Sequence, residues 1–382
     1  MKSVRASYMR GGTSKALVFH RDDLPDDQDR WAPIFRAAMG SPDPFGRQLD
    51  GMGGGVSSLS KVCVVGPSHH ADVDVDYTFA QLSIKSDLVD YSGNCGNMSA
   101  AVGPFAVYRG IVAAPREGEV TVRILNTNTG KVIHSHFQIR AGLPRVSGNY
   151  VVDGVTGGGA PIRLEFQEPY GTRSGRLLPT GLACELLEYG AGKSMPVSLI
   201  DGPNPLALIA ADALELSGVE LPAELAENQN FVEQIEAIGC AAAMRMGLAQ
   251  SIEGARMTVM PQIAIVSPMN KEAATISGER VRPQDADLLV RLYSSGQPHQ
   301  AVPITGSMGI AISARVPGTV SQQALSPDAA DHTIRLAHPS GVSRVSARVT
   351  KGNDGYQAKH ASVTRTARLL FNGEVFFQEK GK

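Results

Sequence analysis

Residues 91 to 110, YSGNCGNMSAAVGPFAVYRG, set a cysteine in a Gly/Asn turn that opens an apolar helix. The run from Met98 to Tyr108 carries no charged side chain. It reads as a mostly buried helix, since a helix apolar on every face belongs in a core. Gly93, Asn94, Gly96 and Asn97 are residue types that tolerate positive φ and let backbone approach a ligand. The first N–H groups of the helix lack intrahelical partners and would point at whatever sits beside Cys95. Such a place suits a carboxylate, and a thiol there tends toward thiolate. A plain core cysteine would not need two turn formers on each side, so the functional reading is preferred.

At 382 residues the chain has room for about two or three domains. With 42% hydrophobic and 19% charged residues it reads as a globular protein. The net charge of −1 and the lack of a long basic run argue against nucleic acid or an anionic membrane as partner. The first residues, MKSVRASYMRGGTSK, show no apolar secretory segment, and no run is long enough to span a bilayer, so cytoplasmic residence is expected. Cys63, Cys95, Cys184 and Cys240 form no CxxC pair and are expected as reduced thiols.

Alternating patterns predict strands at 62–66, 73–84, 120–126 and 131–139. Helices are expected over Asp27 to Met39, Met98 to Arg109, Asn230 to Met246 and Asp285 to Ser294. Helices and strands do not alternate regularly, so the class is α+β. Turn formers are dense from 164 to 194, which places a domain junction there and gives domains 1–185 and 186–382. An internal echo links CGNMSAA, from Cys95, to TGSMGIA, from Thr305; each opens an apolar helix after a tight turn.

Three further groups carry chemistry. The loop RQLDGMGGGVSSLSK delivers Lys61 to a strand start through Gly53 to Gly55 and the Ser57, Ser58, Ser60 cluster, a polar shell suited to an ammonium over a substrate. MRGGTSK, residues 9 to 15, is either an anion-gripping loop with Arg10 as a carboxylate fork or an ordinary strand-to-strand turn. His299 and His338 lie in Gly/Pro-rich turns, and His299 leads into the second helix start. His134 and His136 share a strand face, but a metal would need a third ligand that the spacing does not offer, so no metal site is expected. Nucleotide loops and a GxSxG elbow are absent.

Together MRGGTSK, SPDPFGRQLDGMGGGVSSLSKV (41–62), DVDYTFAQ (74–81), SGNCGNMSAAVGPFAV (92–107), NTNTGK (126–131), VDGVTGGGAPI (152–162), LLPTG (177–181) and HPSG (338–341) resemble the 2-methylaconitate isomerase family of PrpF type. That resemblance covers nearly the whole chain. It implies a diaminopimelate epimerase-like fold: two similar domains, each a sheet wrapped around a central helix, with the active site in the cleft between them and the C-terminal end free to return to the first domain. It also implies cofactor-independent movement of a proton across an allylic C=C of a small unsaturated di- or tricarboxylate, as in propionate catabolism, with Lys61 and Cys95 as the catalytic pair.

Abstracting a proton beside a carboxylate and a double bond creates a dienolate whose charge must be stabilised as it forms. On this hypothesis Lys61 is the principal acid/base and Cys95 its partner or a positioning thiol. Arg10, Ser14, Ser58, Gly96, Asn97, His299, Thr305, Gly306 and Ser307 line the substrate site. Ala16 stands where the family commonly has glycine, and the segment from Asp201 to Asn230 matches less well. SGNCGN, rather than QNCGN, favours the methylaconitate branch over 4-oxalomesaconate tautomerases. Thr305, where an amino-acid racemase would carry a second cysteine, argues against racemisation. A catalytically silent carboxylate-binding protein is the alternative from another class, and a homodimer is the default symmetric expectation.

Overall fold

The computed structural model describes residues 1–91, 93–190, 192–256, 260–294, 296–329 and 333–378. It divides into two compact units, Met1–Phe166 with Thr364–Lys382, and Gln167–Val363.

The first unit contains strands β1 (Lys2–Gly11), β2 (Ser14–His20), β3 (Lys61–Pro67), β4 (Val75–Leu82), β5 (Glu117–Asn126), β6 (Lys131–Arg140) and β7 (Ile162–Gln167). Neighbours pair in that order: β1–β2 antiparallel, β2–β3 parallel, β3–β4 antiparallel, β4–β5 parallel, β5–β6 and β6–β7 antiparallel. The second unit uses β8 (Glu185–Gly190), β9 (Lys193–Asp201), β10 (Pro205–Ala210), β11 (Gln262–Pro268), β12 (Leu288–Ser294), β13 (Thr333–His338), β14 (Gly341–Gly352) and β15 (Gly355–Arg365). From β9 to β15 the pairings run antiparallel, parallel, antiparallel, parallel, antiparallel, antiparallel. The two sequences of pairings are identical, and in each a buried helix follows the fourth strand: α2 (Gly96–Tyr108) in the first unit, α4 (Ile304–Ser313) in the second. The weak echo between Cys95 and Thr305 thus falls at the start of the corresponding helix in two copies of one architecture, offset by two positions.

Both central helices are rich in Gly, Ala and Ser because sheet closes on them from several sides. The first touches β1, β2, β3, β5 and β6, and the second β9, β10, β11 and β14. A Cβ on Gly103 would lie 2.7 Å from the Phe137 ring and 2.8 Å from Ser135 Oγ, so helix and strand approach as closely as glycine allows. Two further helices lie elsewhere. Helix α1 (Trp31–Met39) buries Trp31, Phe35, Ala38 and Met39 and stops at Gly40, whose φ of 73° suits the left-handed cap. Helix α3 (Gln229–Arg245), capped by the Asn228 side chain on Phe231 N–H, packs Phe231, Ile235, Ile238 and Ala242 against Leu199, Ala207 and Ile263 of the second sheet.

The segment from Asp285 to Ser294, expected as a helix, is instead strand β12 after a short turn. All seven residues of LLVRLYS are buried, flanked by β11 and β13. A strand covered on both faces loses its alternation and reads as a continuous apolar run, which a helix also produces. The domain division also falls earlier than 185/186. Residues after 167 bond into the second unit: Gly171 N–H donates to Asp201 O and Asp201 N–H to Leu177 O. The Asp201 carboxylate accepts from the N–H groups of Arg173 and Ser174 and from both their neighbouring hydroxyls, Thr172 and Ser174.

No described helix is long and apolar enough to cross a membrane. Placing a branched side chain at the closest helix–strand approach should be costly: Gly103→Val is expected to lower stability by about 2–3 kcal/mol, an overpacking penalty. Urea unfolding of the two proteins measures it, and a loss below experimental error would contradict the tight approach.

Candidate functional site

Lys61 is the first residue of β3, placed opposite Gln81 on β4 and beside Ala16 on β2. It is only 9% exposed. Its Nζ donates to Gln81 Oε1 and lies 5.2 Å from the centroid of the Phe79 ring. Gln81 cannot turn away, because its Nε2 donates to Ser57 O at 3.1 Å and Ser60 O at 3.0 Å. The amide oxygen therefore faces the lysine. No carboxylate among the described residues pairs with Lys61, and a neutral amide accepts from an ammonium or an amine alike.

The loop before Lys61 is built on Gln48, a residue with no prominence in the sequence. Its Nε2 donates to Ser41 Oγ, while its Oε1 accepts from Gly55 N–H and Ser60 Oγ, and the side chain is 1% exposed. A Cβ on Gly53 would sit 2.3 Å from that amide. Asp43 begins the loop by accepting from the N–H groups of Phe45, Arg47 and Gln48, and these bonds hold its carboxyl below the usual range. Ser58 lies in a single 3-10 turn, Ser57–Leu59, just ahead of Lys61.

Cys95 stands at the N-cap of α2 in extended backbone, partly exposed, with no side-chain cap bond. Ser99 closes the turn by donating to Cys95 O and Asn94 Oδ1; Ser92 lies outside the described residues. Cys63, two residues along β3 from Lys61, is wholly buried. Burial pushes its thiol up. Burial likewise holds the Tyr77 phenol well above its usual range; its hydroxyl lies 3.9 Å from Cys63 Sγ. Asn128, from the turn between β5 and β6, fixes the surroundings: its amide brackets Phe79, accepting from its N–H and donating to its carbonyl, and donates to Tyr91 O ahead of the cysteine loop.

The MRGGTSK loop is a two-residue hairpin turn between β1 and β2, pressed on the start of α2. A Cβ on Gly11 would lie 2.5 Å from Asn97 O, and one on Gly12 2.1 Å from Asn97 Oδ1. Gly12, at φ +50°, answers both the turn and the close approach. Asn97 Nδ2 donates to Thr13 Oγ1, and its buried Oδ1 has no partner among the described residues. Ser14 is buried at the start of β2. Arg10 departs from the expected carboxylate fork: its Nη1 donates to Gly12 O and Thr366 O, bracing the turn. Burial, then the neighbouring Arg368, lowers its pKa.

In the second unit, Gly306 and Ser307 are buried in α4 and Thr305 is nearly so. Cys95 is an N-cap, whereas Thr305 is the second residue of its helix, after Ile304. Thr305 Oγ1 accepts from Asn204 Nδ2 at 3.0 Å, and Ser307 Oγ donates back to Ile304 O. Gln262 Oε1, 3.2 Å from where a Gly306 Cβ would be, is buried without a partner among the described residues. His299 Nε2 pairs with Ser294 Oγ at 2.7 Å, and burial lowers its pKa. Both ring nitrogens of His338 are engaged, with Ser343 Oγ and Ser340 N–H, so this histidine holds its own turn.

A cavity of about 1510 Å³ opens in the second unit beside α3, lined by Glu188, Glu233, Glu236, Cys240 and Tyr293 among others. It contains none of the expected site residues. The chemistry is better placed at the helix starts.

The PrpF protein family model matches residues 1–378. A 2-methyl-aconitate isomerase of Shewanella oneidensis is 38% identical over 383 residues, covering 97% of this chain and 96% of that protein. A (4E)-oxalomesaconate Delta-isomerase of Novosphingobium is 35% identical, with 98% of each covered. The crystal structure of a methylitaconate-delta-isomerase superposes with a TM-score of 0.88 at 34% identity over 98% of this chain and 96% of that one. A hydroxyproline epimerase from Agrobacterium vitis matches with a TM-score of 0.52 at 12% identity, over 99% of this chain and 93% of that one. At that identity it speaks to the fold alone, which is the diaminopimelate epimerase-like one.

Two expectations follow from the geometry. Gln48→Leu strands Ser41 Oγ and Gly55 N–H, leaving Ser60 Oγ only Val56 O, and should cost about 2–4 kcal/mol; urea unfolding reads the loss, and limited proteolysis should then cut first within 43–60. His299, whose folded pKa lies below the unfolded value of about 6.5, makes the protein more stable above that pH and loses the advantage as pH falls through the folded pKa. Urea unfolding from pH 7.5 to 5 should show this acid-side decline, and His299→Gln should flatten it; an unchanged slope in the variant would contradict the assignment.

Proposed function

The chain belongs to the PrpF family, and on that premise we propose that it is an isomerase that moves a proton across the allylic C=C of an unsaturated di- or tricarboxylate, without a cofactor. The observation that carries this reading is that one unit holds both a nearly buried lysine paired only with a neutral amide among the described residues and a partly exposed cysteine at the N-cap of a buried helix. The relatives named for 2-methylaconitate, methylitaconate and oxalomesaconate support the substrate class. Among these, 2-methylaconitate is our first choice.

The chemistry follows from the parts. Lys61, held by the Gln81 amide and covered by Phe79, takes a proton from the carbon next to the conjugated acid. The electron pair left behind delocalises over the double bond into the carboxylate, giving a dienolate. The unpaired N–H groups at the start of α2 sit where a carboxylate gaining charge is stabilised. Returning the proton at the same carbon after bond rotation yields cis–trans isomerisation; returning it at the far allylic carbon shifts the double bond. Cys95 acts as the second acid/base or positions the substrate. Ser14, Ser58, Gly96, Asn97, His299, Thr305, Gly306 and Ser307 serve substrate binding in this reading, and Arg10 acts by bracing the hairpin.

A second reading, tautomerisation or double-bond migration in 4-oxalomesaconate, is supported by the 35% identity to a protein named (4E)-oxalomesaconate Delta-isomerase. Proton NMR in D₂O with 2-methylaconitate, aconitate, methylitaconate and 4-oxalomesaconate separates the two. We expect isomerisation of 2-methylaconitate with solvent deuterium entering at carbon. Lys61→Ala should reduce kcat by about 10²–10⁴-fold. Turnover of the oxo acid alone would select the second reading, and a folded protein inert toward all four acids would leave a carboxylate-binding protein.

A further inference from the structure

We propose that His134, His136 and Glu165 form a binding site for a divalent transition metal, Zn²⁺ by preference, on strands that carry neither Lys61 nor Cys95. His134 and His136 alternate along β6 and so present to one face. The third donor, missing at any sequence spacing, comes from strand pairing: β7 sets Glu165 directly opposite His134. One donor atom from each of the three lies within 4.8 Å of the others. Donors around a zinc ion at 2.0–2.2 Å would be about 3.4 Å apart, so closing the site takes side-chain adjustments of about an ångström. Two imidazoles and a carboxylate are a donor set that suits zinc and leaves a further position open.

The His136 ring supplies the independent observation. Its Nδ1 lies 2.8 Å from Thr121 Oγ1 on the neighbouring strand β5, while its Nε2 is buried with no hydrogen-bond partner among the described residues. With Nδ1–H donated to the threonine hydroxyl, the Nε2 lone pair is presented, oriented and unsatisfied. That is the outer-shell arrangement of a metal-bound histidine, and a buried polar atom without a partner carries a cost that a metal would remove. Arg163 binds Glu165 Oε2 at 2.7 Å, which fixes the carboxylate beside the histidines. Arg123, opposite His134, is neutralised by Asp74.

Titration of the metal-free full-length protein with Co²⁺, followed by its visible d–d absorption, and with Zn²⁺ by calorimetry tests the site apart from any activity. One ion per chain is expected. His136→Ala and Glu165→Gln should each weaken binding by at least about tenfold, and Thr121→Val, which leaves every ligand in place, by about tenfold through loss of the outer-shell bond. Circular dichroism checks that each variant is folded, and the threonine variant keeps the test decisive if a ligand variant is not. Absence of binding to the native protein would overturn the proposal. So would binding that these substitutions leave unchanged, or that Cys95→Ser abolishes.

Discussion

Burying a helix on every side is the constraint from which the rest of each unit follows. A helix enclosed by sheet cannot carry a polar stripe, and its side chains must be small wherever a strand presses close. Gly103 against Phe137 and Gly306 against Leu292 show this. The one part of such a helix that stays polar without a charged side chain is its first turn, whose N–H groups lack internal partners. The architecture thus produces an anion-receptive point at the N-terminus of each central helix, before any catalytic residue is considered.

Neighbouring elements of the first unit serve that point. The β1–β2 hairpin approaches Asn97 so closely that only glycine fits at 11 and 12. Arg10 braces the turn from behind, and Thr13 holds the Asn97 amide. On the neighbouring strand, Gln48 shapes the loop and Gln81 aims Lys61, two neutral amides that impose direction without adding charge. A lysine so held can exchange a proton without breaking an ion pair, which fits a reaction whose base must give back what it takes.

Much of this was legible in the residues, and the exceptions have physical causes. The cysteine turn, the helix it opens, the four alternating strands and the lysine loop are local patterns, so periodicity and turn chemistry located them to within a few residues. Strand β12 was misread because complete burial erases the alternation that distinguishes strand from helix. The backbone contacts of Arg10 were not legible because its partners, Gly12 O and Thr366 O, include a carbonyl from near the other end of the chain. Gln48 and Gln81 gave no signal, since an amide becomes important only through what it touches. Glu165 was invisible as a companion of His134 because strand register, not spacing, joins them.

The amino-acid sequence by itself determined most of the regular elements and which thiol and lysine are set in turns able to approach a ligand. These depend on interactions between residues near one another in the chain, whose energetics are written in composition and period. Only the tertiary structure decided the orientation of Lys61, the bracing contacts of Arg10, and the gathering of two histidines with a glutamate. Each of those depends on the register between strands distant in sequence, and register is set by how whole sheets close around their helices.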